Sequence, residues 1–256
     1  MQAQQDLHQP ITRWASFRFY QELNDFLPRP QRGKVFDHAF YGRPSVKDLV
    51  EAIGVPHPEI DLILVDGKSV SFKYPIRGGE RISVYPVFER LDISRLVHLR
   101  PKPLRVTKFI LDVHLGKLAR YLRLFGFDTL YRNDLKDPEI IEISLIEGRI
   151  ILTRDLGILK TSSVTHGYWV RSTEPKQQLR EVVSSLQLEN SFLPFSRCAD
   201  CNSQLIAVEK YSIEGQVDEH VWNYFNQFSR CTGCHKLYWK GSHYDRIYEL
   251  INSIKG

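Results

Sequence analysis

Residues 107–131 read TKFILDVHLGKLARYLRLFGFDTLY, and this stretch decides the fold class. The run from Thr107 to Leu111 is short and apolar and stops at the carboxylate of Asp112, the pattern of a buried strand. From His114 to Phe125 the period changes to that of a helix. At about 100° per residue, Leu115, Leu118, Ala119, Leu122 and Phe125 share one face and Lys117, Arg120 and Arg123 the opposite one. Gly126 closes this helix, and Phe127–Tyr131 reads as a second strand.

Moving toward the C-terminus, Asp137-Pro-Glu139 opens a second helix with an acid at the N-cap, and Gly148 ends it. Arg149–Thr153 is a third strand, stopping at Arg154-Asp155, and Tyr168–Arg171 a fourth. Strands alternating with helices define an α/β unit with a parallel sheet. Ligands of such sheets bind beyond the C-terminal strand ends, where Asp112 and Asp155 fall. Asp137 can reach the same edge, with Asp134 or Glu142 behind it. Converging carboxylates hold Mg²⁺ or Mn²⁺, hard ions that bridge phosphate oxygens. Each acid also has a plainer reading. Asp137 is an ordinary helix cap, and Asp155 can cap the turn after Thr153. Asp112, ending an apolar strand, is hardest to dismiss.

The formal net charge of +5 is modest but unevenly spread. Residues 95–123 hold eight basic side chains (Arg95, Arg100, Lys102, Arg105, Lys108, Lys117, Arg120 and Arg123) against the single acid Asp112. Such an excess beside an acidic site suits a polyanion, with Arg154 and Lys160 flanking Asp155 as further phosphate contacts. A solvated helix face is the plainer alternative.

All four cysteines lie in two Cys-x-x-Cys pairs, Cys198/Cys201 and Cys231/Cys234. Two knuckles supplying four thiolates form a structural zinc site. A disulfide reading needs a secreted context, and the N-terminus shows no basic-then-apolar signal; no apolar run is long enough for a membrane span, so a cytoplasmic location is expected. His235 and His243 flank the second knuckle without being needed as ligands. Trp169, Tyr238 and Trp239 either stack on bases or pack beneath the ribbon.

The N-terminal third is organised differently. After a leader of residues 1–12, Trp14–Tyr20 alternates like a strand; Ser45 caps a helix with Val46, Leu49, Val50 and Ile53 on its apolar stripe and Gly54 at its end. Ile60–Val65 is a strand, Asp66-Gly67 a tight turn, and Gly78–Tyr85 a turn entering a last strand. This order, with ILVDGKSV and GGERISVYP, resembles ubiquitin-like β-grasp domains of the sulfur-carrier type over residues 13–90. Those carriers act through a C-terminal Gly-Gly. Here Gly78-Gly79 is internal and Val87-Phe-Glu-Arg90 stands in its place, so a binding or scaffolding role, with a protein partner, is expected in place of carrier chemistry.

Leu99–Arg105, with Pro101 and Pro103, reads as a linker. Beyond it, KFILDVHLGKLARYLRLFGFDTLYRND, DPEIIEISLIEGRIILTRDLGILK, VTHGYWVRS and RCADCN with RCTGCHKLYWKGSHYDR resemble the PIN-like ribonuclease family called the Mut-seven C-terminal RNase domain, over residues 106–246. The resemblance implies a β-grasp domain at 13–90, a PIN-like nuclease core at 106–190 and a zinc ribbon at 195–246. It implies hydrolysis of RNA, single-stranded or of the tRNA or ribosomal class, with Asp112, Asp137, Asp155 and the adjacent Asp134 as the acidic set. Many PIN-type nucleases carry a further acid two residues beyond the last; here that position is Gly157. A non-catalytic RNA-binding or adaptor protein of the same fold is the competing reading, and Gly157 is the feature that favours it.

Overall fold

The computed structural model describes residues 11–86 and 107–255. Residues 1–10 of the expected leader, the Pro101/Pro103 linker and the basic residues Arg95, Arg100, Lys102 and Arg105 lie outside the described residues; the leader ends earlier than expected, since Thr12 already pairs with Tyr41 as the first residue of a strand. The chain divides into two compact units, one holding the N-terminal part together with Leu159–His166, the other holding the rest. No described helix is long and apolar enough to cross a membrane.

In the N-terminal unit, β1 (Thr12–Phe19), β2 (Phe36–Tyr41), β3 (Leu62–Val65), β4 (Lys68–Ser69) and β5 (Arg81–Tyr85) form one sheet in the order β2-β1-β5-β3-β4. The central pair β1 and β5 is parallel and the other pairs antiparallel, the mixed topology of a β-grasp. Helix α1 (Val46–Ile53) starts where the capping box predicts. The Ser45 hydroxyl accepts from Asp48 N at 3.2 Å and the Asp48 carboxylate accepts from Ser45 N at 2.9 Å, which satisfies two of the helix's orphan donors. Its face Val46, Leu49 and Val50 is buried with Phe17, Phe19, Leu23, Ile63 and Ile82. Asp66 and Gly67 both take positive φ, 48° and 80°, as a two-residue turn between β3 and β4 requires. Strand β2 is not anticipated from the sequence, because Asp37 and His38 interrupt its apolar pattern. Pairing with β1 creates it, Phe36 opposite Phe17 and Ala39 opposite Trp14.

In the second unit, β6 (Lys108–Leu111), α2 (Gly116–Leu124), β7 (Asp128–Leu130), α3 (Asp137–Glu147), β8 (Ile150–Thr153), α4 (Leu156–Leu159) and β9 (Gly167–Trp169) alternate as expected. The sheet order is β7-β6-β8-β9, with every pair parallel. Helix α2 begins later than its periodicity suggests, because a 3-10 turn over Val113–Leu115 intervenes, capped by the Asp112 carboxylate. Asp137 is the first residue of α3 and not its N-cap; Lys136 holds that place, its N–H donating to Glu139 Oε2 at 3.0 Å. Helix α5 (Pro175–Ser185), absent from the sequence reading, is started by Pro175 and by Glu174, whose carboxylate accepts from Lys176 N and Gln177 N. It buries Leu179, Val182 and Val183 against Phe109, Leu118 and Leu122.

The cysteine-rich part is an antiparallel sheet of β10 (Leu205–Val208), β11 (Phe228–Cys231) and β12 (Leu237–Trp239), with α6 (Glu219–Tyr224) in the insertion between the first two. Its own core is three buried residues, Ile213, Val221 and Phe228. The last helix, α7 (Ser242–Lys255), sends Leu250 and Ile251 into the core of the parallel sheet.

Candidate active site and metal centre

The parallel sheet fixes where chemistry can sit. Chain order runs from β6 out to β7 on one side and then crosses to β8 on the other, so the reversal point lies between the C-terminal ends of β6 and β8. Crossovers diverge there and leave a crevice at the strand ends. Asp112 follows β6 and Asp155 follows β8, so the crevice is flanked by the two aspartates singled out from sequence.

Asp112 is buried, 4% exposed. Its Oδ2 accepts from the Thr153 hydroxyl at 2.5 Å and from Arg154 N at 2.9 Å, and its Oδ1 from His114 N at 2.9 Å. A carboxylate offers about four lone pairs, so about one remains, on Oδ1. Thr153 also accepts from Asp155 N at 2.8 Å, so one hydroxyl links the two aspartates. The Asp155 side chain accepts from Gly157 N through Oδ1 at 2.7 Å. Any side chain at position 157 would bring its Cβ within 3.0 Å of Asp155 Oδ1, so the glycine that replaces the further acid also makes room for this carboxylate. From sequence Thr153 is only the end of a strand, with no role at the site. Its signal is a lone hydroxyl ending the apolar strand Ile150–Leu152, directly before Arg154-Asp155.

The other acids stand apart from this pair. Asp137 is exposed at the start of α3, and Asp134 is exposed and paired with Arg132 at 3.0 Å. Among the described residues, the four cysteines are the one group of three or more His, Cys, Asp or Glu whose ligand atoms lie within 4.8 Å of one another. The acidic set thus reduces to a linked pair, without a third carboxylate at ligand distance.

The basic residues divide as well. Lys117 is exposed on the first turn of α2. Arg120 is exposed and pairs with Asp200 at 3.4 Å. Arg154 is half-buried and donates to the carbonyls of Arg171 and Ser172. Lys160 is exposed in the segment that belongs to the first compact unit. Arg123 departs from expectation: it is 5% exposed and not on a solvated face. Its Nε donates to Thr129 O at 2.9 Å, and its Nη1 to Ala199 O at 3.2 Å and Asp200 O at 2.8 Å. Helical periodicity separates apolar from polar positions, but it does not show when a second module covers the polar face.

The two cysteine knuckles repeat one geometry. Asn202 N donates to Cys198 O at 3.0 Å and His235 N to Cys231 O at 3.2 Å, and both Asn202 and His235 take positive φ, 71° and 61°. His235 is therefore a turn residue, not a ligand. A Cβ on Gly233 would stand 2.3 Å from Ser203 Oγ, so glycine there lets the second knuckle approach the first without displacing the Ser203 hydroxyl. Cys201 Sγ lies 3.2 Å from Cys231 Sγ, and Cys198 Sγ 3.6 Å from Cys234 Sγ. A tetrahedron with Zn–S of about 2.3 Å has sulfurs roughly 3.8 Å apart, so the donor set fits zinc. Charge argues the same way. Burial opposes ionisation of Cys201, but hydrogen bonds involving Ser203 and the neighbouring thiols bring it down to about 6. Cys234, despite a hydrogen bond from the Lys236 amide, is pushed up to about 12 by burial and the neighbouring thiols. Thiols this close resist sharing several negative charges unless a cation joins them.

The first knuckle is tied to the sheet edge at β7. Thr129 N donates to Asn202 Oδ1 at 2.9 Å, and Asn202 Nδ2 to Asp128 Oδ1 at 2.9 Å. Asp128 also receives Arg149 at 2.8 Å and Arg197 at 3.4 Å.

The family described as Mut7-C RNAse domain matches residues 107–251, and that described as Mut7-C ubiquitin matches residues 12–92. Neither a curated protein nor a solved structure matches the chain.

Proposed function

We propose, on the premise that this chain belongs to the Mut7-C RNAse domain family, that it is a cytoplasmic metal-dependent ribonuclease hydrolysing RNA phosphodiester bonds at the crevice between β6 and β8. The observation carrying this reading is the Asp112–Thr153–Asp155 linkage at the sheet's reversal point, with Asp112 buried and one lone pair of its Oδ1 left over. Asp112 and Asp155 are the residues that would hold Mg²⁺ or Mn²⁺, with exposed Asp137 joining when substrate is bound. The ion would supply Lewis-acid activation of water and of the phosphate. The protein's own part is to fix Asp112 through three donors and to keep the Asp155 carboxylate open through Gly157. Lys117, with Arg120 once released from Asp200, holds the RNA backbone without reading sequence. The four cysteines hold a structural zinc ion. The ubiquitin-like domain, lacking a carrier's terminal glycines, docks a protein partner.

Wild-type protein free of contaminating nucleases should cleave unstructured RNA with Mn²⁺, and Asp112→Asn should abolish cleavage while retaining RNA binding. If wild type cuts nothing, or Asp112→Asn and Asp155→Asn cut as well as wild type, the carboxylates are structural. The RNA-binding adaptor, favoured by the missing acid at Gly157, then replaces this reading.

A further inference from the structure

The segment 230–248 interleaves aromatic and basic residues. It carries Tyr238, Trp239, Tyr244 and Tyr248, together with Arg230, Lys236, Lys240 and Arg246 against the single acid Asp245. Trp239 ends the edge strand β12, Lys240 and Gly241 form the turn, and Tyr244 and Tyr248 are four residues apart on one side of α7. Two backbone bonds pin the turn, Gly241 N to Trp239 O at 3.1 Å and Tyr244 N to Gly241 O at 2.8 Å. The indole lies across it, since a Cβ on Gly241 would come within 3.1 Å of Trp239 Nε1.

Trp239 and Tyr248 are open to solvent, and Tyr244 is half-buried. Tyr244 stacks on Phe195 at 4.1 Å, and Tyr248 lies nearly parallel to Tyr244 at 6.1 Å. The Lys240 ammonium stands 5.6 Å from the Tyr244 ring centre. Trp239 is 38% exposed and Tyr248 49%. Two other exposed aromatics, Tyr211 and Tyr224, supply the contrast: Glu209, Glu214, Asp218 and Glu219 surround them in sequence with only Lys210 opposing, the wrong sign for a polyanion.

We infer that Trp239, Lys240, Tyr244 and Tyr248 form a stacking platform for single-stranded RNA, with bases laid on Trp239 and Tyr248 and the adjoining phosphate neutralised by Lys240. Every base has a π-face, so such a platform tolerates any sequence but requires bases that are not already stacked in a duplex. The inference rests on reading the chain as an RNA-acting nuclease and narrows its substrate to unpaired segments.

The test is fluorescence anisotropy with a labelled oligouridylate and with a hairpin RNA, no Mg²⁺ or Mn²⁺ being added. Trp239→Ala and Tyr248→Ala should each weaken oligouridylate binding by about ten-fold, the size of one lost base stack, and should leave hairpin binding nearly unchanged. Lys240→Gln, a polar exchange on the surface that leaves the core untouched, should reduce the log–log salt slope by about 0.7. Cleavage is assayed separately. A wild type that binds oligouridylate through Trp239 yet never cleaves keeps the platform and discards the nuclease. A wild type that cleaves, while Trp239→Ala and Lys240→Gln bind oligouridylate as it does, overturns the platform. Equal losses on oligouridylate and hairpin overturn the assignment to unpaired bases, and no RNA binding at all overturns both readings.

Discussion

The guanidinium of Arg123, on α2 of the parallel-sheet core, donates to the carbonyl oxygen of Asp200, inside the first cysteine knuckle, at 2.8 Å. With Thr129 O and Ala199 O also bound, a buried cation joins the parallel-sheet core to the cysteine-rich module. The four-cysteine module is in this sense part of the core's edge.

Removing that cation leaves three carbonyl oxygens without their donor, two of them in the knuckle. Hydrogen bonds to charged groups are worth about 1.5–3 kcal/mol each, and they do not add fully. Arg123→Ala should therefore cost about 3 kcal/mol in urea unfolding and speed zinc release to a chelator, with Arg123→Lys in between. A loss below about 0.5 kcal/mol would place Arg123 among ordinary surface residues.

Zinc removal should unfold the ribbon first. Three buried residues, Ile213, Val221 and Phe228, with a few half-buried neighbours, are too small a core to offset the chain entropy of the segment between the knuckles, and in the zinc reading the metal supplies the difference. Metal analysis should give about one zinc per chain. Stripping it should abolish amide protection across β10–β12 while β6 and β8 stay protected, and a ribbon that keeps its protection without metal contradicts this.

The parallel sheet was legible because its strands are continuous apolar runs, and the capping box at Ser45 because both partners are adjacent in sequence. Helix α5 and strand β2 were not, since each is defined by what it packs or pairs with. The candidate site was half legible. Asp112 and Asp155 announce themselves by ending apolar strands, whereas the role of Thr153 depends on β6 and β8 being neighbours. Asp137 and Arg123 mark the limit of periodicity: α3 turns one acid to solvent, and the knuckle covers a charge that a lone helix would expose.

Asp128 gives a pH signature. Burial opposes its ionisation, but the hydrogen bonds from Arg149 and Asn202 and the charges of Arg149 and Arg197 outweigh burial and hold the carboxyl below its ordinary value. A group whose folded pKa is depressed binds its proton more readily when unfolded, so its stabilisation is complete above the unfolded value of about 3.9 and fades as pH falls through the folded one. The stability gap between wild type and Asp128→Asn should be constant near neutrality and close below about pH 4. A gap that widens on acidification reverses the sign and refutes the assignment.

Thr153 offers the closest test of the site, because it separates position from mere presence. Its hydroxyl is fully buried, donates to Asp112 Oδ2 at 2.5 Å and accepts from Asp155 N at 2.8 Å. Thr153→Val keeps shape and volume but leaves the Asp155 amide unpaired and takes one of three donors from Asp112, for a loss of about 2 kcal/mol. If the nuclease reading holds, cleavage should fall well beyond what unfolding explains, since misplacing a ligand by about an ångström costs on the order of a hundred-fold. Thr153→Ser, which restores the hydroxyl, should recover both stability and rate. A Thr153→Val protein that is destabilised yet cleaves at the wild-type rate would show that the link between the aspartates serves folding alone.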